Sequence, residues 1–192
     1  MRQIVDKRLK DDYLHRIIKL TESYKVGEPL DPNTDLGSMI TQEHQQRVLS
    51  YIAKGCDEGA NLIAGKNGAM DREGYFIQPT IFDNVDPQST IAKEEIFGPV
   101  LGVVTVDGMD EALRIARDTE YGLHATVFTK DIGRAFHMAR HLPVGTVGIN
   151  GFTEGDIKTP FGGFKKSGSL ARDNGTEAMD QYLQTKTIWF NL

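Results

Sequence analysis

At 192 residues, with 39% hydrophobic and 26% charged, the chain is long enough to bury one core of ordinary domain size, and no stretch of it has the composition of a disordered segment. A net charge of -5 with acidic and basic residues interleaved leaves no basic stripe to follow a phosphate backbone, which points away from nucleic acid as a partner. The first residues are charged (Arg2, Asp6, Lys7, Arg8) and no apolar run approaches the roughly 18 residues that span a bilayer, so no membrane partner is expected and the cytoplasm is the expected location.

The pattern predicts helices and strands in turn. From Lys7 to Tyr24, apolar residues at Leu9, Tyr13, Leu14, Ile17, Ile18 and Leu20 recur at helical spacing until Lys25, Val26 and Gly27 break it. Thr41 is placed to cap a second helix, with Val48, Leu49, Ile52, Ala53 and Cys56 along its apolar face and Gly59 at its end. Asn61 to Ala64 reads as a short strand, and Gly65 to Gly74 as a weakly ordered connection. Tyr75 to Ile77 and Thr80 to Phe82 read as extended pieces around Pro79, hence as edge or connecting strands. The β-branched run Val100 to Val106 is a strand, and Asp110 opens a helix through Leu113, Ile115 and Ala116. Ala125 to Thr129 is strand, Asp131 caps a helix to His141, and Thr146 to Ile149 is strand again. This alternation implies an α/β fold with a mainly parallel sheet covered by helices, because parallel neighbours need a crossover between them. No internal repeat or linker divides the chain. After Gly175 a brief helical pattern (Ala178, Met179, Tyr182, Leu183) leads to a strand-prone end, Thr185 to Phe190.

Two short stretches carry chemistry. In Glu94, Glu95, Ile96, Phe97, Gly98, Pro99, a carboxylate precedes an aromatic by two residues at a Gly-Pro turn into a strand; Glu95 can accept hydrogen bonds from ribose hydroxyls while the Phe97 ring bounds a sugar or nicotinamide. The alternative is that Glu94 and Glu95 are solvated charges and Phe97 a core aromatic. In Pro160, Phe161, Gly162, Gly163, Phe164, Lys165, the glycines suit a close approach of backbone, though the placement is not that of a phosphate loop.

In this order and at this separation the two stretches resemble the second half of the NAD(P)-dependent aldehyde dehydrogenases. IAKEEIFGPV is followed by a DEAL helix, by EYGLHATVFTKD and by VGTVGIN, each in the family's order. The resemblance implies that Glu95 and Phe97 grip the nicotinamide ribose of NAD or NADP, and that Phe161 lines the aldehyde tunnel with Gly162 and Gly163 in its wall. It implies a partial catalytic domain over residues 1–175, followed by a helical turn and an oligomerisation strand over 176–192 that pairs with a neighbouring subunit of a homo-oligomer. The alternative for this strand is to close the sheet of its own chain. One departure lies beside the site: where the family has SGxGR and an acidic residue, this chain reads Ser167, Gly168, Ser169, Leu170, Ala171, Arg172, Asp173, one residue longer and one glycine short.

Substrate choice is expected from the loop between Asn150 and Pro160. Phe152 joins the substrate-facing residues, and the carboxylates of Glu154 and Asp156, two residues apart, suit an ammonium group. NGFTEGDI resembles the dehydrogenases of ω-aminoaldehydes and γ-glutamylated aminobutyraldehyde, which implies a small-molecule aldehyde of that class. The alternative is a solvated acidic loop with Lys158 neutralising one charge.

Cys56, the only thiol, reads as a core residue one turn after Ile52, not a nucleophile. His44 reads as solvent-facing, although the resemblance allows it to reach the adenosine end of a cofactor. One cysteine and five scattered histidines give no zinc spacing, so no metal is expected. By the resemblance, the family's nucleophilic cysteine, general-base glutamate and dinucleotide-binding half have no counterpart here, and Arg2 resembles the arginine just after that cysteine. No catalytic residue is therefore expected in this chain, no cofactor is expected on it alone, and alone it is expected to be inactive. Three readings stay open: part of an aldehyde dehydrogenase completed by a missing N-terminal half, one half of a split enzyme, or a non-catalytic assembly module.

Overall fold

A computed structural model describes residues 2–152, 156–168 and 171–192. The chain forms two compact units, Met1–Ile115 and Ala116–Leu192. No linker separates them in sequence, since one helix runs through the boundary.

The first unit holds a four-stranded sheet. Its elements are β1 (Arg2–Asp6), α1 (Lys10–Ser23), α2 (Gln42–Asp57), β2 (Asn61–Ala64), β3 (Thr80–Asp83), the single turn α3 (Thr90–Lys93), β4 (Val100–Val106) and α4 (Met109–Arg117). The strand order is β1-β4-β3-β2, with β1 and β3 parallel to β4 and β2 antiparallel to β3. The mainly parallel sheet implied by the sequence is present, and β2, α2, β4 and α4 fall close to their expected places. The core is the layer between α2 and the sheet: Val48, Tyr51, Ile52, Ile77, Phe82, Ile91, Ile96, Val100 and Val104 are all buried there.

Several expectations need correction. Arg2–Asp6 is a strand with no signal in the sequence, because a short apolar pair among polar residues has no periodicity of its own; parallel pairing with β4 makes it one. The first helix begins at Lys10 instead of Lys7, since Lys7 donates its N–H to Val106 and Leu9 donates to Asp6, which spends those residues on the turn out of β1. Thr80–Asp83 is an inner strand with every residue buried, not an edge. Pro79 signalled an edge, yet it stands just before the ladder, where its missing N–H is not needed; Thr80 N–H goes to the Pro99 carbonyl instead. Cys56 is exposed. The buried positions of α2 are Val48, Tyr51, Ile52 and Gly55, an i, i+3, i+4, i+7 set, and Cys56 falls beside that stripe while Gly55 occupies it.

The second unit contains β5 (Tyr121–Gly122), β6 (His124–Val127), α5 (Ile132–His141), β7 (Thr146–Ile149), β8 (Phe164–Lys165) and a 3-10 helix over Thr176–Tyr182. β6 and β7 pair in parallel with α5 as their crossover, and Asp131 caps α5 by accepting from the Arg134 N–H, as its sequence predicts. Ala135, Met138 and Leu142 are the buried apolar side chains among the described residues of this unit. Residues 183–192 belong to no strand and are exposed throughout, with Trp189 90% and Phe190 82% accessible; they do not close a sheet of their own chain. Among the described residues no helix is long and apolar enough to cross a membrane.

Candidate functional site

In the first unit the expected cofactor residues stand on the loop between α3 and β4. One face of α2 holds this loop, and the holding residues are again spaced i, i+3, i+4, i+7. His44 Nε2 donates to the Phe97 carbonyl at 2.7 Å, Arg47 Nη2 donates to the Glu95 carbonyl at 3.3 Å, and Tyr51 Oη donates to a Glu94 carboxylate oxygen at 2.6 Å. Val48, the fourth member, lies under Gly98: a Cβ built on Gly98 would come within 2.7 Å of both Val48 methyl carbons, so only glycine seats the loop this close to the helix. Ile96 points inward and is 2% exposed.

With the carbonyls tied and Ile96 buried, Glu95 and Phe97 face outward. The Phe97 ring is 68% exposed, which removes the core-aromatic alternative. Its backbone is left-handed at φ +54°, a conformation that costs a non-glycine residue about 1–3 kcal/mol. Glu95 is exposed, and no hydrogen bond or ion pair from a described residue engages its carboxylate. A bare carboxylate beside an exposed ring fits the ribose and nicotinamide of a dinucleotide: two hydroxyl donors for an acceptor-only group, and a flat heterocycle for the ring. His44 belongs to this loop's support. Its spacing from Val48 and Tyr51 on a helix capped by Thr41 is the sequence signal that could have revealed it.

In the second unit, the substrate-facing candidates stand on the segment after β7. Phe152 is 74% exposed, and its ring meets His124 edge to face with centroids 5.0 Å apart. Glu154 lies outside the described residues. Asp156 builds a turn: its carboxylate accepts the Lys158 N–H at 2.9 Å and its carbonyl accepts from Thr159 N and Oγ1. Phe161 exchanges both backbone hydrogen bonds with Asp173, at 2.6 and 2.7 Å, and Gly175 N–H donates to the Ile157 carbonyl at 2.9 Å. Asp156 and Phe161 therefore share one loop, stitched to residues 173–175, with Phe161 41% exposed.

The glycines of PFGGFKK act at a strand, which the sequence did not reveal. Phe164–Lys165 pairs antiparallel with Tyr121–Gly122, and Gly145 passes so close to the Gly162 carbonyl that a Cβ there would coincide with it. Lys165 Nζ donates to the carbonyls of Arg117 and Thr119 at 2.9 and 2.7 Å, and Lys166 Nζ pairs with Glu120 at 2.6 Å, which raises the pKa of Lys166. Among the described residues no group of three or more His, Cys, Asp or Glu could hold a metal ion.

Residues 1–188 match the aldehyde dehydrogenase family. The betaine aldehyde dehydrogenase of Brucella anthropi is 41% identical over 195 residues, covering 100% of this chain and 40% of its own length. The aminoacetaldehyde dehydrogenase of Pseudomonas aeruginosa is 39% identical over 190 residues, covering 99% of this chain and 38% of its own. Among solved structures, a mutant of P. syringae AldA, an indole-3-acetaldehyde dehydrogenase in complex with NAD+ and IAA, superimposes with a TM-score of 0.93 at 43% identity over 100% of this chain and 39% of that one. The chain thus spans about 40% of the length of the curated relatives it matches.

Proposed function

The chain belongs to the aldehyde dehydrogenase family, and we propose that its 192 residues supply the cofactor-gripping loop and part of the substrate wall of an NAD(P)-dependent enzyme that oxidises an aldehyde to a carboxylic acid. The observation that carries this reading is the outward pair Glu95 and Phe97, presented by four contacts from one face of α2. The dinucleotide supplies the hydride acceptor. This chain's part is to accept the ribose hydroxyls at Glu95, to bound the nicotinamide with Phe97, and to shape the aldehyde's path with Phe152 and Phe161. Residues 1–175 are then the partial catalytic domain, and 176–192 the helical turn and assembly strand.

In this reading the thiol that attacks the aldehyde and the base that activates water come from outside these 192 residues, as the resemblance to the family implies; Cys56, the only cysteine, stands on α2, the helix that supports the loop. Alone the chain is inactive and holds no cofactor. A neighbouring subunit or an N-terminal half completes it, in a cytoplasmic homo-oligomer. The test adds NAD+, NADP+ and a panel of aldehydes to the purified chain, alone and after addition of a thiol-bearing N-terminal half of a relative, and follows reduced nicotinamide. Turnover by the chain alone would sink the reading, whereas restoration on addition supports it.

The substrate proposed is an ω-amino aldehyde. Two relatives are named for betaine aldehyde and aminoacetaldehyde, compounds that carry a quaternary ammonium and an amino group, and Glu154 with Asp156 would supply the opposing charge. In the completed enzyme, replacing both carboxylates by amides raises KM for amino aldehydes and leaves a neutral aldehyde unchanged; equal effects on both would remove the proposal. An assembly module is the second reading, favoured by the exposed apolar end at Ile188, Trp189 and Phe190. It requires a stable oligomer that gains no activity on addition of the missing half.

A further inference from the structure

The left-handed backbone at Phe97 needs a cause. A large aromatic in this conformation is strained, and the strain persists only where the surroundings over-determine it. On its two sides the chain is fixed by packing, with Ile96 buried and Gly98 seated on Val48. At Phe97 itself the ring is outside, so packing of its own side chain contributes little. Among the described residues, what acts on Phe97 directly is one hydrogen bond to its carbonyl, from the half-buried His44 at 2.7 Å. A carbonyl oxygen only accepts, so the ring nitrogen Nε2 must carry the proton. The bond therefore exists in one neutral tautomer and in the cation, and not in the other neutral tautomer. The backbone of His44 is anchored in the first turn of α2, where its main-chain N–H donates to the Thr41 side chain at 3.2 Å.

We infer that His44 is a positioning residue for the cofactor loop: donation from its Nε2–H to the Phe97 carbonyl sets the left-handed turn there, and so aims the Phe97 ring and the neighbouring Glu95 carboxylate. Arg47, on the Glu95 carbonyl at a longer 3.3 Å, is a secondary tie. The role of the aimed groups rests on the cofactor reading above; the latch itself does not.

Two measurements on the 192-residue chain test it. Nitrogen-15 shifts of the His44 ring should show Nε2 protonated and Nδ1 bare when the ring is neutral, and the reverse tautomer would overturn the inference without any substitution. The amide-to-Hα coupling and Cα shift of Phe97 should lose their positive-φ signature in His44→Ala and keep it in His44→Gln, whose side-chain amide retains a donor. Persistence of the signature in His44→Ala, or its loss in both variants, would overturn the donor role. In the completed enzyme the same pair should separate in dinucleotide Kd, about tenfold weaker in His44→Ala and near wild type in His44→Gln, the effect of one hydrogen bond. The first two readouts involve no dinucleotide, so their failure leaves the cofactor reading standing, and a completed enzyme that binds no NAD(P)+ leaves the latch standing.

Discussion

Tyr51 donates its hydroxyl to the Glu94 carboxylate across 2.6 Å, one helical turn beyond the arginine that holds the next residue's carbonyl. The phenol ring below that hydroxyl is 7% exposed and belongs to the core. Tyr51→Phe keeps the ring and removes the donor, so it should destabilise the chain by about 0.5–1.5 kcal/mol, whereas Tyr51→Ala should cost about 3–5 kcal/mol through the cavity it leaves. Urea unfolding of both variants checks the ordering. Unchanged stability in Tyr51→Phe would mean that the hydroxyl contributes nothing, and equal losses in the two variants that the ring adds nothing beyond it.

Gly98→Ala should destabilise by about 1–3 kcal/mol, because the new methyl overlaps Val48 in the core layer. Val48→Ala opens the same space and should itself be destabilising. The double variant should therefore lose less than the sum of the singles, and additive losses in a thermodynamic cycle would disprove the contact.

Gly145→Ala presses on the Gly162 carbonyl, a backbone atom that no rotamer change can remove. A loss of about 1–3 kcal/mol is expected, which for a chain of this size lowers Tm by roughly 2–4 °C per kcal/mol. The shift should be accompanied by broadening of the Phe161–Lys165 amide resonances, and a variant with unaltered Tm would refute the close approach.

Asp6 and Lys166 make opposite predictions along the pH axis. The Asp6 carboxylate, gripped by the Arg8 side chain and its N–H, has its pKa held well below the usual range. Its contribution is fully present above the unfolded-state value of about 3.9 and is lost as pH falls through the lower folded value. Wild type and Asp6→Asn should therefore differ in stability at neutral pH and converge in acid. Lys166 is raised by Glu120, so its contribution is present below about 10.4 and lost as pH rises through the higher folded value. Lys166→Met should converge with wild type in alkali. The Lys166–Glu120 pair is exposed and the Asp6–Arg8 pair partly so, so added salt should shrink each difference, the first more, and a gap that ignores salt would rule out the ion pair as its source.

Removal of residues 183–192 should turn an oligomer into a smaller species, read by light scattering, with little change in far-UV dichroism because that segment holds no regular structure here. If the truncated chain keeps its mass in solution, the assembly role of the tail falls.

Legibility in the sequence followed how locally each feature is determined. The strand Val100–Val106 and the Asp131-capped helix are written in consecutive residues, and so both could be read. Arg2–Asp6 is a strand only because β4 lies beside it, and Phe164–Lys165 only because Tyr121–Gly122 does. Cys56 lies one position off the buried face of α2, where Gly55 carries no hydrophobic signal to mark that face. For the candidate site, EEIF was legible as a motif and its supports were not. His44, Arg47, Val48 and Tyr51 gain their meaning from a contact some 50 residues away, as in the His44–Phe97 separation of 53.

The exposed end at Ile188, Trp189 and Phe190 bears on the fate of a newly made copy in the cell. A solitary molecule displays an aromatic, strand-prone hook of the kind that chaperones hold and proteases clip. Burial of that hook in a partner would hide it. Steady-state abundance would then follow the supply of partners more closely than the rate of synthesis, and surplus copies would be cleared.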